Sequence, residues 1–144
     1  MSNALIWQII RKNNAYLVKR DHVIFSKERG NVANLNRQRF SGLANHHAVD
    51  IHLNKNGTKI EASLKKNFWW KHPAKLWKTT NIKRNKSTLK KVRHLLKHSR
   101  VNNRVSPAAQ LRAYSLIRQI ARTESLKKRK ANKAAKTAQA APKK

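Results

Sequence analysis

The sequence predicts an α+β fold: a small mixed domain with an N-terminal helix and antiparallel β-hairpins, followed by basic helices and an extended C-terminal tail. Three observations predict it. Apolar residues near the start recur at helical spacing; two later stretches alternate apolar and polar residues about an Asn-Gly step; and the second half repeats Leu, Val and Ile at three- and four-residue intervals among Lys and Arg. A length of 144 residues with 39% hydrophobic content suffices for one modest core with basic extensions.

Ser2 stands at a helix N-cap position, and Leu5, Ile6, Ile9 and Ile10 then share one face, with Trp7 at its border and Gln8 and Arg11 pointing away. This predicts a core-packing helix. After Asn13-Asn14, residues 15–19 and 22–26 are rich in β-branched and aromatic side chains around Arg20-Asp21, the pattern of a hairpin. Residues 29–39 have little period and include Gly30, Asn31, Asn34 and Asn36, which predicts an ordered loop.

The clearest local signal is the pair of stretches 48–53 and 59–64 flanking Asn56-Gly57. Asn-Gly tolerates positive φ and favours hairpin turns, while Val49, Ile51, Leu53 and Ile60, Ala62, Leu64 alternate with polar residues, so one face packs on the core. Residues 65–80 carry Trp69, Trp70, Trp77 and Pro73, predicting an extended crossing segment with a short helical turn around 74–77.

Two helices follow. Ser87 precedes Leu89, Val92, Leu95 and Leu96 at helical spacing, with Lys90, Lys91, Arg93, His94 and Lys97 between them. Ser106-Pro107 opens the next, whose apolar stripe is read as Leu111, Tyr114, Ile117, Ile120 and Ala121 beside Arg112, Arg118 and Arg122. From Lys127 onward only Lys, Arg, Ala, Asn, Thr, Gln and Pro occur, too little apolar surface to fold alone. The expected organisation is a mixed α/β RNA-docking core over 1–82, a basic helical region over 83–125 and a disordered Lys/Ala-rich tail over 126–144.

Charge says most about function. Thirty-five Lys and Arg face five Asp and Glu, a formal net charge of +30. Such a chain repels itself at every exposed surface, so a polyanion is the expected partner. Residues 1–72 hold 13 Lys or Arg against 4 acids and residues 73–144 hold 22 against 1, which places the stronger electrostatic footprint in the second half. One basic cluster alone reads as a solvated face; many clusters with so few acids read as phosphate ligands. The residues expected to neutralise and position RNA phosphates are Arg11, Lys12, Lys19, Arg20, Arg37, Arg39, Lys65, Lys66, Lys83, Arg84, Lys90, Lys91, Arg93, Lys127, Lys128, Arg129 and Lys130. Base stacking, where it occurs, falls to Phe40, Trp69 and Trp70.

Other chemistries lack their residues. The chain has no Cys, which removes disulfides, thiolate nucleophiles and Cys-based zinc sites. His46, His47 and His52 have no ligand set around them, so no metal is expected. The carboxylates Asp21, Glu28, Asp50, Glu61 and Glu124 are scattered, and neither a Gly-rich phosphate loop nor a nucleophile motif occurs. No enzyme, cofactor or small-molecule substrate is expected. No run approaches the roughly 18 apolar residues of a membrane span, and the apolar stretch 4–10 lacks the basic flank and length of a signal peptide, so no membrane partner is expected either.

The opening SNALIWQIIR over residues 2–11, then Asn13-Asn14 and residues 15–20, resembles the eukaryote-specific large-subunit ribosomal protein twenty-eight family, ribosomal L28e. So do Phe25-Ser26 with Glu28, the step Arg39-Phe40-Ser41-Gly42-Leu43 running into Ala44-Asn45, the strand after His47, Pro73-Ala74-Lys75, Thr79-Thr80 and the basic helix from Ser87. The resemblance covers roughly residues 2–122, in the family's order. It implies a structural constituent of the large (60S) subunit of the cytosolic eukaryotic ribosome, without enzymatic activity, lying on ribosomal RNA beside neighbouring ribosomal proteins and not as a homo-oligomer. It further implies a cytoplasmic location after passage through the nucleus and nucleolus. The related maintenance-of-killer type assembly factor is similar at HPAKLW, residues 72–77, and at 36–39, which makes a nucleolar ribosome-assembly factor the alternative. A chromatin-binding architectural protein is the alternative that tail composition alone would serve.

Overall fold

The alternating stretches form the hairpin they predict. In the computed structural model, which describes residues 2–65, 73–85, 87–101 and 103–139, strand β3 (Val49–Leu53) pairs antiparallel with β4 (Lys59–Lys65). Val49 lies opposite Leu64, and Leu53 opposite Ile60. Gly57 takes φ +66 at the turn, the left-handed conformation for which Asn-Gly is suited. A third strand, β5 (Trp77–Lys83), pairs antiparallel with the other edge of β4, giving the order β3-β4-β5. The crossing segment expected over 65–80 is thus partly a sheet edge: a 3-10 turn at Pro73–Lys75 leads straight into β5.

One sheet face carries Val49, Ile51, Ile60, Ala62 and Ile82, all buried. Over it pack α2 (Thr88–Lys97), through Val92 and Leu96, and α3 (Ser106–Gln139), through Ala109, Ala113, Leu116 and Ile120, with Val105 just before it. Side chains from both 1–82 and 83–125 therefore share one core. Each large aliphatic side chain so buried contributes about 1.5–3 kcal/mol.

The phase of α3 differs from the sequence reading. Leu111 and Tyr114 are 70% and 50% exposed, while Ala109 and Ala113 are fully buried. The two alanines recur at i and i+4 with Leu116 and Ile120, and their small side chains let the helix axis approach the sheet closely. Close approach selects the small residues, and Leu111, two positions after Ala109, and Tyr114, one position after Ala113, turn outward.

The N-terminal helix α1 (Asn3–Ile10) forms with its expected cap, Leu5 N–H donating to Ser2 Oγ at 3.3 Å. It is not a core helix. None of its residues is buried, and Leu5 and Ile9 are 52% and 62% exposed. Asn3, Ile6, Trp7 and Ile10 are the half-buried set. Asn36 Nδ2 tethers the helix end by donating to the Arg11 carbonyl at 2.9 Å. A small hairpin, β1 (Leu17–Arg20) and β2 (Val23–Ser26), turns at Asp21, whose φ is +49.

Between β2 and β3 the ordered loop is organised around a buried carboxylate. Glu28 accepts from Asn31 Nδ2 and from Ser41 Oγ, both at 3.2 Å, and Ser41 Oγ accepts from Ala44 N–H. Ser26, Glu28, Asn31 and Ser41 are all buried. Two chain segments cross here at backbone contact: a Cβ on Gly42 would lie 2.0 Å from the Arg29 carbonyl oxygen and 2.9 Å from Gly30 Cα. Only glycine fits.

The C-terminal segment departs from expectation. A disordered, extended tail is expected from residue 126, yet α3 runs on as helix to Gln139. The physical reason is propensity: Lys, Arg, Ala and Gln are among the best helix formers, and neither Gly nor Pro interrupts them before Pro142. Every residue from Arg122 to Lys133 is exposed, so this stretch of α3 stands off the core as an arm about 18 Å long at 1.5 Å per residue.

Candidate nucleic-acid interface

The surface of α2 is largely cationic because Val92, Leu95 and Leu96 are taken up by the core, while Leu89 is 37% exposed. Val92 and Leu96 point inward, leaving Lys90, Lys91, Arg93, His94 and Lys97 exposed on the remaining turns. A groove of about 750 Å³ runs between β5 and α2, and Lys83, Lys90, Lys91 and His94 line it above a floor that includes Ile82 and Leu95. The structure thus brings together Lys83, Lys90 and Lys91, which lie on different elements. Their spacing is fixed by Thr88, a fully buried residue at the start of α2. Its hydroxyl donates to the Asn85 carbonyl at 2.7 Å and accepts from Asn85 N–H at 2.8 Å, with the Lys83 carbonyl 3.1 Å away.

Arg84 reaches the base of the arm, its Nη2 2.9 Å from Glu124 Oε2. Both side chains are well exposed, so the pair is worth at most about 1 kcal/mol and leaves Arg84 available to a phosphate. Arg93 Nη2 donates to Gln110 Oε1 at 3.3 Å, which steadies it across the α2–α3 seam. On the arm, Lys127, Lys128, Arg129 and Lys130 are all exposed. Four successive residues point about 100° apart and so cover every side of the helix. Such a distribution suits a helix surrounded by phosphates more than one docked along a single face.

The remaining predicted residues divide into three groups. Arg11, Lys12, Lys19, Arg20, Arg37 and Arg39 are exposed, as phosphate contacts require. Lys66, Trp69 and Trp70 lie outside the described residues. Phe40 and Lys65 are corrected. Phe40 is only 7% exposed and belongs to the core, where the Arg39 guanidinium covers its ring at 4.7 Å, so it has no face left for a base. Lys65 turns inward, its Nζ donating to the carbonyls of Gly42 at 2.7 Å and Asn45 at 2.9 Å. Sequence reasoning missed Arg29, whose guanidinium lies 4.5 Å over the Trp77 ring, and Lys97; the first is a tertiary contact without local signature, and the second was legible from its helical position.

Against this geometry the comparisons with known proteins are specific. The Ribosomal L28e protein family matches residues 5–120. The chain belongs to the ribosomal L28e family. The large ribosomal subunit protein eL28 of Caenorhabditis elegans is 34% identical over 120 residues, covering 82% of this chain and 90% of the relative. That of Schizosaccharomyces pombe is 51% identical over 57 residues, 38% of this chain and 42% of the relative. In Dictyostelium discoideum the protein of the same name is 43% identical over 51 residues, 35% of this chain and 39% of the relative. The match to the L28e family spans the sheet, α2 and the packed half of α3, and it ends before the cations of the arm.

In this L28e chain Lys65 works as a staple. Burial lowers the pKa of its ammonium from the usual lysine value, while Glu28 opposes that shift. Removing the charge strands two carbonyls and a buried carboxylate together. Lys65→Met is expected to cost about 2–3 kcal/mol, the range for hydrogen bonds to a charged group, seen as a lower urea midpoint.

Proposed function

We propose that this protein is a structural constituent of the large subunit of the cytosolic eukaryotic ribosome, held on ribosomal RNA by phosphate contacts and performing no catalysis. The observation that carries this reading is the bare cationic surface of α2 and of the arm, on a chain whose family relatives are named for the large ribosomal subunit. Ammonium and guanidinium groups there neutralise phosphates and release condensed counterions, a term that supplies affinity without base specificity. Arg11, Lys12, Lys19, Arg20, Arg37, Arg39, Lys83, Arg84, Lys90, Lys91, Arg93 and Lys127 to Lys130 supply the charge; Lys66, Trp69 and Trp70 extend the set. Neighbouring ribosomal proteins are the other partners, and the exposed Leu5 and Ile9 of α1 offer apolar surface for such contact. The protein assembles in the nucleolus and then resides in the cytoplasm.

A tagged copy is expected to sediment with large subunits and with translating polysomes. Recovery only with nucleolar precursors would replace this reading with that of an assembly factor.

A further inference from the structure

A second cationic site lies apart from the β5–α2 groove. Arg39 from the 3-10 turn at Gln38–Phe40, His46 and His47 from the loop before β3, and Arg100 just beyond α2 line a cleft of about 380 Å³. Asn3 of α1 and Asn45 complete its polar wall, with Val101 and Val105 as the apolar part. No carboxylate is among the lining residues.

Three features show that the cleft is built. First, its walls are pinned: Asn45 Nδ2 donates to Gln38 O at 2.7 Å and Ser41 O at 2.8 Å, while Lys65 Nζ holds Asn45 O from behind. The loop bearing His46 and His47 is thereby fixed against the turn bearing Arg39. Second, Arg100 has φ +51, a left-handed conformation that costs a non-glycine residue about 1–2 kcal/mol and that Asn or Gly would adopt more readily. A cation is kept at a position that stability alone would give to another residue. Third, Asn3 Oδ1 is buried with no hydrogen-bond partner among the described residues, an acceptor that a ligand donor would satisfy.

We propose that this cleft is a site for one nucleotide of RNA, its phosphodiester held between Arg39 and Arg100 and beside His46 and His47, its sugar or base against Val101 and Val105. The proposal rests on the ribosomal-RNA reading above and names a discrete subsite within it. Guanidinium groups match phosphate oxygens through paired N–H donors, and a cleft without acids repels itself until an anion enters. His47 titrates below the ordinary histidine value because of burial, then Arg100, His46 and Lys65, which disfavours its charged form in the free protein. A bound phosphate offsets the positive charge of Arg100 and Lys65 and favours the protonated form of His47. Binding therefore takes up a proton, and affinity rises as pH falls from about 7.5 to about 5.5.

The test follows the ring signals of His46 and His47 by NMR in the full-length protein, titrated with a short single-stranded RNA, its uncharged methylphosphonate counterpart, inorganic phosphate and polyglutamate. RNA is expected to raise the His47 pKa, inorganic phosphate to do so only at far higher concentration, and the neutral counterpart to leave it unmoved. A shift by polyglutamate at the concentration at which RNA acts would assign the cleft to an acidic peptide and overturn the proposal.

The double variant Arg39→Gln/Arg100→Asn is expected to bind RNA about tenfold more weakly, with a salt slope reduced by about 2, while Arg100→Asn alone raises the thermal midpoint. His46→Gln/His47→Gln should flatten the pH dependence and keep the fold. RNA binding that is intact, with His47 unmoved and the arginine variant unimpaired, overturns the subsite alone. Absence of RNA binding by the unaltered protein overturns the ribosomal reading and the subsite together.

Discussion

Gly42→Ala is expected to unfold this protein. The new methyl group would sit 2.0 Å from the Arg29 carbonyl oxygen and 2.9 Å from Gly30 Cα, and both are backbone atoms that no rotamer change can move aside. Relief requires the crossing of the two loop segments to open, and with it the Glu28 network and the carbonyl held by Lys65. A loss on the order of 4 kcal/mol or more follows, at the upper end for overpacking and a large part of the stability of a domain this size. Gly57→Ala is the internal control. There φ is +66 but nothing lies within 4 Å of the added Cβ, so only backbone strain acts and the cost is about 1 kcal/mol. Urea unfolding of the two variants separates close approach from turn strain. Equal midpoints would show that the loops do not cross at the Gly42 contact described.

Lys90→Glu/Lys91→Glu is expected to have the largest effect on RNA binding among surface changes. Both residues are exposed and line the groove between β5 and α2, and among the described residues no side-chain hydrogen bond that holds the fold depends on them. On the proposed reading, each substitution removes one phosphate contact and adds one repulsion. The salt slope should therefore fall by about 2 or more, with affinity dropping roughly 10- to 100-fold at physiological salt. Circular dichroism and the thermal midpoint should stay near those of the unaltered chain, because solvent-exposed substitutions rarely move stability by more than about 0.5 kcal/mol. The same pair should fail to enter large subunits in cells. Unchanged affinity would move the phosphate contacts off α2.

How much of this was legible depended on whether a residue's neighbours are local. The hairpin of β3 and β4 was plain because alternation and Asn-Gly are both written in consecutive residues. Strand β5 was read only as extended chain, since Lys78, Thr79, Thr80 and Asn81 are all exposed and an edge strand of this kind has no apolar alternation to betray it. In α1 and α3 the helices were found, and Ile6, Ile10, Ile117 and Ile120 were placed on the inner side, but Leu5, Ile9, Leu111 and Tyr114 face outward. The buried stripe of α3 is marked by Ala109 and Ala113, whose value comes from the sheet they approach, a partner absent from the local sequence.

Polar residues were the harder case. Glu28, Asn31 and Ser41 look like ordinary loop residues, and Lys65 looks like one more phosphate ligand, until the tertiary structure turns them toward one another. Charge counting identifies how many cations a chain has, not which of them face inward. On α2, however, helical periodicity settles orientation, so Lys90 and Lys91 were legible as exposed, while the run from Lys127 to Lys130 has no apolar neighbours among which it could be buried. The arm itself was legible as basic, and its helix to Gln139 follows propensity rather than a core.

If exposed cations fasten this protein to ribosomal RNA through phosphates, equilibrium binding of the purified chain to large-subunit ribosomal RNA across a potassium chloride series reads it directly. Affinity is expected to fall by about a thousandfold or more between roughly 50 and 200 mM salt, with log affinity linear in log salt. An affinity that holds steady over that range, or no binding at the lowest salt, would contradict it.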